Sequence, residues 1–196
     1  MDIALYGGSF DPPHIAHLEV IKQALENLKP DRLFVLVAYQ NPFKTHPCFS
    51  PQQRLMWMRQ LLKDLDKVQV SDFEILQNRP VPSIESVEHF YQKFQPNKLY
   101  FIIGADNVVG LERWEGYLQL QKLVELVVVH REGYALQLPQ GFRAQSLFLP
   151  RIKRPISSTQ IRICLKQHCI SQDIPYALQP CAIQTFKENY AKPKNY

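Results

Sequence analysis

The stretch Gly7-Gly8-Ser9-Phe10-Asp11-Pro12-Pro13-His14-Ile15-Ala16-His17 lies directly between an apolar run, Ile3-Ala4-Leu5, and a segment with apolar residues at helical spacing. A glycine pair after a strand lets the chain turn sharply and bring its backbone close to a ligand that a side chain would obstruct. The helix that follows aims unpaired N–H groups and partial positive charge at whatever sits at its start. An anion is the natural occupant. His14 falls at that helix start and His17 one turn further, so both imidazoles reach the same region. They make a poor zinc pair, because helical metal pairs more usually sit four apart and no third ligand is evident.

Working outward, Ile15, Leu18, Ile21, Leu25 and Leu28 recur at steps of three and four, which predicts a sheet-facing stripe with Glu19, Lys22, Gln23 and Glu26 on the polar side. Apolar runs return at Leu33–Val37, Val68–Val70, Leu99–Ile103, Val124–Val129 and Leu147–Leu149, with helical segments between them. Such alternation predicts an α/β fold with a mostly parallel sheet covered by helices on both faces. Ser50-Pro51-Gln52-Gln53 reads as the start of a second helix, with Ser50 as cap, Pro51 in the first helical position and Gln53 completing a capping box. A third helix begins at Ser83. The Pro-bearing loop 40–49 and the segment Gly104-Ala105-Asp106 both follow strands, where open α/β sheets bind ligands.

At 196 residues the chain is large enough for one well-buried α/β domain and small for two; with no repeat or linker, residues 1–196 read as one domain. Hydrophobic residues at 45% and charged residues at 21% are ordinary globular values. No apolar stretch is long enough for a membrane span and no signal core opens the chain, which predicts a soluble, cytoplasmic protein. Cys48, Cys164, Cys169 and Cys181 lack CxxC pairing and read as reduced, buried thiols; Cys164, His168, Cys169 and Cys181 match no common structural zinc spacing. A net charge of +5 favours anionic partners.

Ile156-Ser157-Ser158-Thr159-Gln160-Ile161-Arg162 forms a second helix start crowded with hydroxyls. Ser157 or Ser158 caps it, Gln160 fits a capping box begun at Ser157, and Arg162 shares a face with Ser158. A capped helix with a surface arginine accounts for the segment equally well. Asp106 likewise reads as a helix cap or a ligand group, and a lone tryptophan such as Trp114 is more often core packing.

The stretch 7–17 resembles the GGTFDPxHxGH signature of the nucleotidyltransferase superfamily, and residues 156–162 match its ISSTxIR motif. Nearly the whole chain resembles bacterial nicotinate-nucleotide adenylyltransferases. The resemblance implies a Rossmann-like nucleotidyltransferase domain that moves AMP from ATP to nicotinate mononucleotide, giving deamido-NAD and pyrophosphate, with Mg²⁺ bound through the ATP phosphates. It assigns Gly7, Gly8, Ser9, Phe10, His14, His17, Gly104, Asp106, Ile156, Ser157, Ser158, Thr159 and Arg162 to ATP. Catalysis falls to His14, His17, Lys44 and Arg162, and the mononucleotide to Lys44, Ser83, Ile84, Glu85 and Trp114. Four departures stand out: Ala16 for the glycine of HxGH, Phe43 for the histidine of a PPHK loop, Glu115 for a tyrosine, and Ser83-Ile84-Glu85 for a Ser-Tyr-Thr segment. Glu85 aimed inward would repel nicotinate and favour nicotinamide; aimed at water it would leave nicotinate preferred. The expected partners are ATP and nicotinate mononucleotide, with no membrane or nucleic acid and with oligomerisation left open. The alternatives are an adenylyltransferase for nicotinamide mononucleotide or another phosphorylated acceptor, and a non-catalytic nucleotide-sensing or RNA-binding relative.

Overall fold

A computed structural model describes residues 1–40, 47–130, 140–167 and 169–191. Strands β1 (Asp2–Gly8), β2 (Arg32–Val37), β3 (Val68–Ser71), β4 (Lys98–Gly104), β5 (Glu125–Val129) and β6 (Ala144–Leu147) make one sheet in the order β3-β2-β1-β4-β5-β6. The sheet is parallel throughout these pairings. β1 and β4 are neighbours although two strands separate them in sequence, with Ile3 opposite Leu99 and Tyr6 opposite Ile102. The strand order reverses there, and a crevice opens beyond the carboxyl ends of the two strands.

Both faces of the sheet are buried, which is why its central strands read as unbroken apolar runs. Ala4 and Tyr6 of β1 pack with Val20, Ile21 and Ala24 of α1 (Ile15–Asn27) and with Leu55, Met58 and Leu62 of α2 (Pro51–Leu62). Ile3 and Leu5 point the other way, toward Ile84, Val87 and Phe90 of α4 (Ser83–Phe94) and Leu120 of α5 (Tyr117–Leu123). A short helix, α3 (Phe73–Leu76), follows β3. A third cluster joins Phe49 and Trp57 to Ile161 and Leu165 of α6 (Ser158–Lys166) and to Ala182 and Phe186 of α7 (Gln179–Ala191).

The second helix starts as its sequence predicts: Ser50 accepts from the Gln53 N–H at 3.2 Å and the Gln53 side chain accepts from the Ser50 N–H at 3.1 Å. Helix α1 keeps most of its predicted stripe, with Ile21 in the core and Leu18, Leu25 and Leu28 packed against it, but its buried face is wider than the stripe. Its buried face is His17, Val20, Ile21 and Ala24, and Glu19 and Gln23 are buried beside them while Ile15 is exposed. Gln23 donates to Glu19 at 3.1 Å, which gives these polar chains a partner when water is excluded. Strand β6 ends at Leu147, where its register with β5 stops, so the apolar run 147–149 lies mostly beyond the strand and Phe148 is exposed. The reading of four buried thiols is also corrected. Cys164 and Cys169, with Cα atoms 5.2 Å apart, form a disulfide at the end of α6, and Cys181 is exposed. Among the described residues no helix is long and apolar enough to cross a membrane.

Candidate active site

A cavity of about 520 Å³ occupies the crevice, a volume typical of small-molecule sites. One end is lined by Gly7, Gly8, Ser9, Phe10, His14 and His17 from the β1–α1 turn and by Ser157, Ser158 and Thr159 from the start of α6. Gly104, the last residue of β4, and Asp106 just beyond it line the middle, and Ser83 and Trp114 line the far end. Ile156, Arg162, Ile84 and Glu85 are not among the lining residues. Lys44 lies outside the described residues.

The two glycines of the turn do different work. A Cβ built on Gly7 would meet nothing within 4 Å, so its missing side chain leaves open cavity for a ligand. A Cβ on Gly8 would sit 2.8 Å from Cζ of Phe10, so this glycine makes room for the ring. Phe10 itself holds φ at 48°, a left-handed conformation that costs a bulky residue roughly 1–2 kcal/mol. Its ring is wedged edge-on against Tyr6 at 5.6 Å and His17 at 4.9 Å. His14 is the N-cap of α1, and its ring stacks on that of His17 with centroids 3.5 Å apart. The His14 backbone N–H donates to Nδ1 of His17 at 3.2 Å. A neutral His17 therefore carries its proton on Nε2, the nitrogen suited to donate to a phosphate. Ala16 is buried and does not line the cavity, so its extra methyl group is directed elsewhere.

The second motif is bolted onto the first. Ser157 caps α6 by accepting from the Gln160 N–H at 3.2 Å, and Ser158 donates to the Pro12 carbonyl at 2.9 Å. Arg162 donates to the Asp11 carbonyl at 2.6 Å and to Thr159 Oγ1 at 3.0 Å, and lies 3.5 Å from the Asp11 carboxylate. Ser157, Ser158 and Thr159 line the cavity, while the Arg162 guanidinium is turned onto the Asp11 turn. Asp106 does not cap: Gly104 is the N-cap of its 3-10 turn.

Asp11 and Arg54 lock the turn to the loop after β2. The Asp11 carboxylate accepts the N–H groups of Cys48 and Phe49, each at 2.9 Å. Arg54, on α2, is 0% exposed. Its guanidinium donates to the carbonyls of Phe49 (3.1 Å), Ser9 (2.6 Å), Ala38 (2.7 Å) and Tyr39 (2.7 Å). Burial draws its pKa down, and the charges of Asp11 and Glu74 oppose that. The signal in the sequence is that Arg54 shares a helix face with Met58, one turn on, in an apolar stripe.

At the far end, Gly116 adopts φ of 69° and a Cβ there would lie 2.6 Å from Ile84, so a glycine is required where α5 begins against α4. This holds Trp114 and Glu115 at the cavity wall. Glu85 faces outward, taking two hydrogen bonds from Arg79 at 3.0 and 2.6 Å that keep its carboxyl below the usual range. Ile84 belongs to the core. Of the residues assigned to the mononucleotide, Ser83 and Trp114 line the cavity, Ile84 and Glu85 do not, and Lys44 lies outside the described residues.

Among the described residues no three His, Cys, Asp or Glu side chains gather as a metal cage. The carboxylates that line the cavity, Glu74, Asp106 and Glu115, do not gather, and Asp106 is the one that directly follows β4. That donor set fits a hard ion that keeps its waters and takes most of its oxygens from phosphates, as Mg²⁺ does.

A doubly wound parallel sheet with two helix N-termini meeting over the crevice defines a nucleotide-binding α/β protein. The model of the cytidylyltransferase-like family matches residues 5–163. A protein of Campylobacter fetus named "Probable nicotinate-nucleotide adenylyltransferase" is 43% identical over 98% of this chain and 100% of its own length. One of Helicobacter pylori with the same name is 49% identical over 84% of this chain and 92% of its own. The nicotinic acid mononucleotide adenylyltransferase of Plasmodium falciparum, solved with NaAD, shares the fold with a TM-score of 0.72 at 16% identity, covering 96% of this chain and 95% of that one. The chain belongs to the cytidylyltransferase-like family and, within it, to the nicotinate-nucleotide adenylyltransferases.

Proposed function

We propose that the protein transfers AMP from ATP to nicotinate mononucleotide, releasing pyrophosphate and forming deamido-NAD. The observation that carries this reading is the joining of residues 7–17 and 156–162 on one cavity at the β1/β4 crossing, with a second, aromatic end beyond it.

The mononucleotide phosphate is already an anion at neutral pH, so it attacks the α-phosphorus of ATP without a strong general base. The bond from the α-phosphorus to the β-phosphate oxygen breaks, and pyrophosphate leaves with the electron pair. Catalysis is then alignment and charge stabilisation. His17 donates from Nε2 to the phosphates, with His14 stacked against it. The backbone at Gly7 and the amides at the start of α6 supply further donors. Arg162 acts through the Asp11 turn and Thr159, as a positioning residue. Mg²⁺ carried on the triphosphate, with Asp106 as its protein oxygen, would offset charge on the leaving group. Trp114 offers a flat apolar face to the pyridine ring. We place this chemistry on one domain, working in the cytoplasm where both substrates are found.

With Glu85 held outward by Arg79, nicotinate is the preferred base. Incubation at pH 6.5 with ATP, Mg²⁺ and either mononucleotide tests this. The nicotinate form should give the larger kcat/KM, and a larger value for the nicotinamide form would overturn the substrate assignment.

A further inference from the structure

The far end of the cavity holds a carboxyl group that this chemistry does not use. Glu74, on α3, lines the cavity beside Pro80–Ser83 and is only 9% exposed. Ser86, itself fully buried on α4, donates its hydroxyl hydrogen to Glu74 Oε1 at 2.9 Å. That bond occupies one carboxyl oxygen and fixes the side chain under the first turns of α4, next to the wall where a pyridine ring would stack.

We propose that Glu74 reads the base of the acceptor mononucleotide as a hydrogen-bond donor, favouring a pyridine carboxylate over its carboxamide. The inference rests on the assignment of the cavity to ATP and a pyridine mononucleotide. Burial pushes the Glu74 carboxyl up to about 7, against the Ser86 hydrogen bond and the Arg54 charge, which lower it; the Glu85 charge adds to the rise. Arg54 spends its N–H groups on backbone carbonyls, and Glu85 is held by Arg79. The other charged or titratable chains on the cavity wall are Tyr6, His14, His17, Asp106, Arg113 and Glu115. A ligand carboxylate placed against Glu74 disfavours its ionised form further, so the acid binds with the Glu74 proton shared between the two carboxyl groups. Once Glu74 ionises it repels that carboxylate and accepts instead from a carboxamide NH₂. The base preference is therefore set by one proton.

The test is the ratio of kcat/KM for nicotinate over nicotinamide mononucleotide between pH 6.5 and 8.5. Both substrates carry the same phosphate and meet the same histidines, so their titrations cancel in the ratio. For a donor half-protonated near pH 7 the ratio should fall by about twenty-fivefold across this range from the loss of the protonated form alone, and by up to about a hundredfold when the carboxamide gains from the ionised form. In Glu74→Gln, which always donates, it should stay flat and favour nicotinate, with wild-type thermal stability measured alongside. Ser86→Ala removes a bond to the ionised form and should move the fall to higher pH. A wild-type ratio independent of pH, or an equal fall in Glu74→Gln, overturns the role of Glu74. Failure of both mononucleotides to release pyrophosphate from ATP overturns instead the function on which it rests.

Discussion

Replacing Arg54 by alanine should destabilise the protein severely although the residue touches no substrate. Its guanidinium donates to four main-chain carbonyls in three segments: Ser9 of the first turn, Ala38 and Tyr39 after β2, and Phe49 before α2. A hydrogen bond from a charged donor contributes roughly 1.5–3 kcal/mol, and a buried acceptor left without a donor costs about 1–3 kcal/mol. These terms overlap, because relaxation and entering water recover part of the loss. The expected cost is about 3–5 kcal/mol, the range seen when one side of a buried charged network is removed. For a chain of this size that corresponds to a Tm lower by about 6–20 °C. Arg54→Lys keeps the charge but cannot fork to four carbonyls, and should recover less than half of the loss. Thermal and urea unfolding measure both variants. A Tm within about 2 °C of wild type for Arg54→Ala would show that these bonds do not hold the site together.

Four further outcomes follow from named contacts. Gly7→Ala should fold with unchanged Tm yet bind ATP more weakly, because its new methyl group meets only cavity, whereas Gly8→Ala should lose about 1–3 kcal/mol of stability by displacing Phe10; calorimetry and ATP titration on both variants separate the two effects. His17→Ala should lower kcat by at least about a hundredfold, and normal turnover in a stable variant would remove His17 from the mechanism. Arg162→Ala should raise KM for ATP and lower the protection of residues 157–159 in hydrogen exchange, with partial rescue by lysine; kinetics altered without any change in exchange would argue for direct phosphate contact. Glu74, raised to about 7 in the folded protein from 4.5, keeps its proton longer when folded. Its contribution therefore turns unfavourable as pH rises from 4.5 to 7, and Glu74→Gln should gain up to about 3 kcal/mol over wild type between pH 4.5 and pH 8 in urea melts.

The sequence carries most of the fold because a parallel sheet buried on both faces has to be written as apolar runs. Each of the six runs meets a strand. Where the reading slips, the cause is tertiary. Glu19 and Gln23 look like a solvent face by periodicity, but each is buried with the other as a partner. The last run marks an edge strand, whose limits are set by register with β5 rather than by its own apolar residues. At the site, the glycine turn, the histidine pair and the hydroxyl-rich helix start were legible, since each needs special residue types at fixed spacing. The surroundings of Arg54 and Glu74, and the turn of the Arg162 guanidinium onto Asp11, were not. Arginine and glutamate on a helix read as surface charge until the structure shows which carbonyls, hydroxyls and turns surround them. The outward turn of Glu85 depends on Arg79, six residues away across a loop, a pairing that no helical or strand period announces.

A nicotinate-nucleotide adenylyltransferase moves the adenylyl group itself from one nucleotide to the other. ATP labelled at the α-phosphate, incubated with the protein, Mg²⁺ and nicotinate mononucleotide, tests it most directly. The label should appear in deamido-NAD, one for one with unlabelled pyrophosphate. Label that stays in ATP, or is released as AMP without forming the dinucleotide, would contradict it.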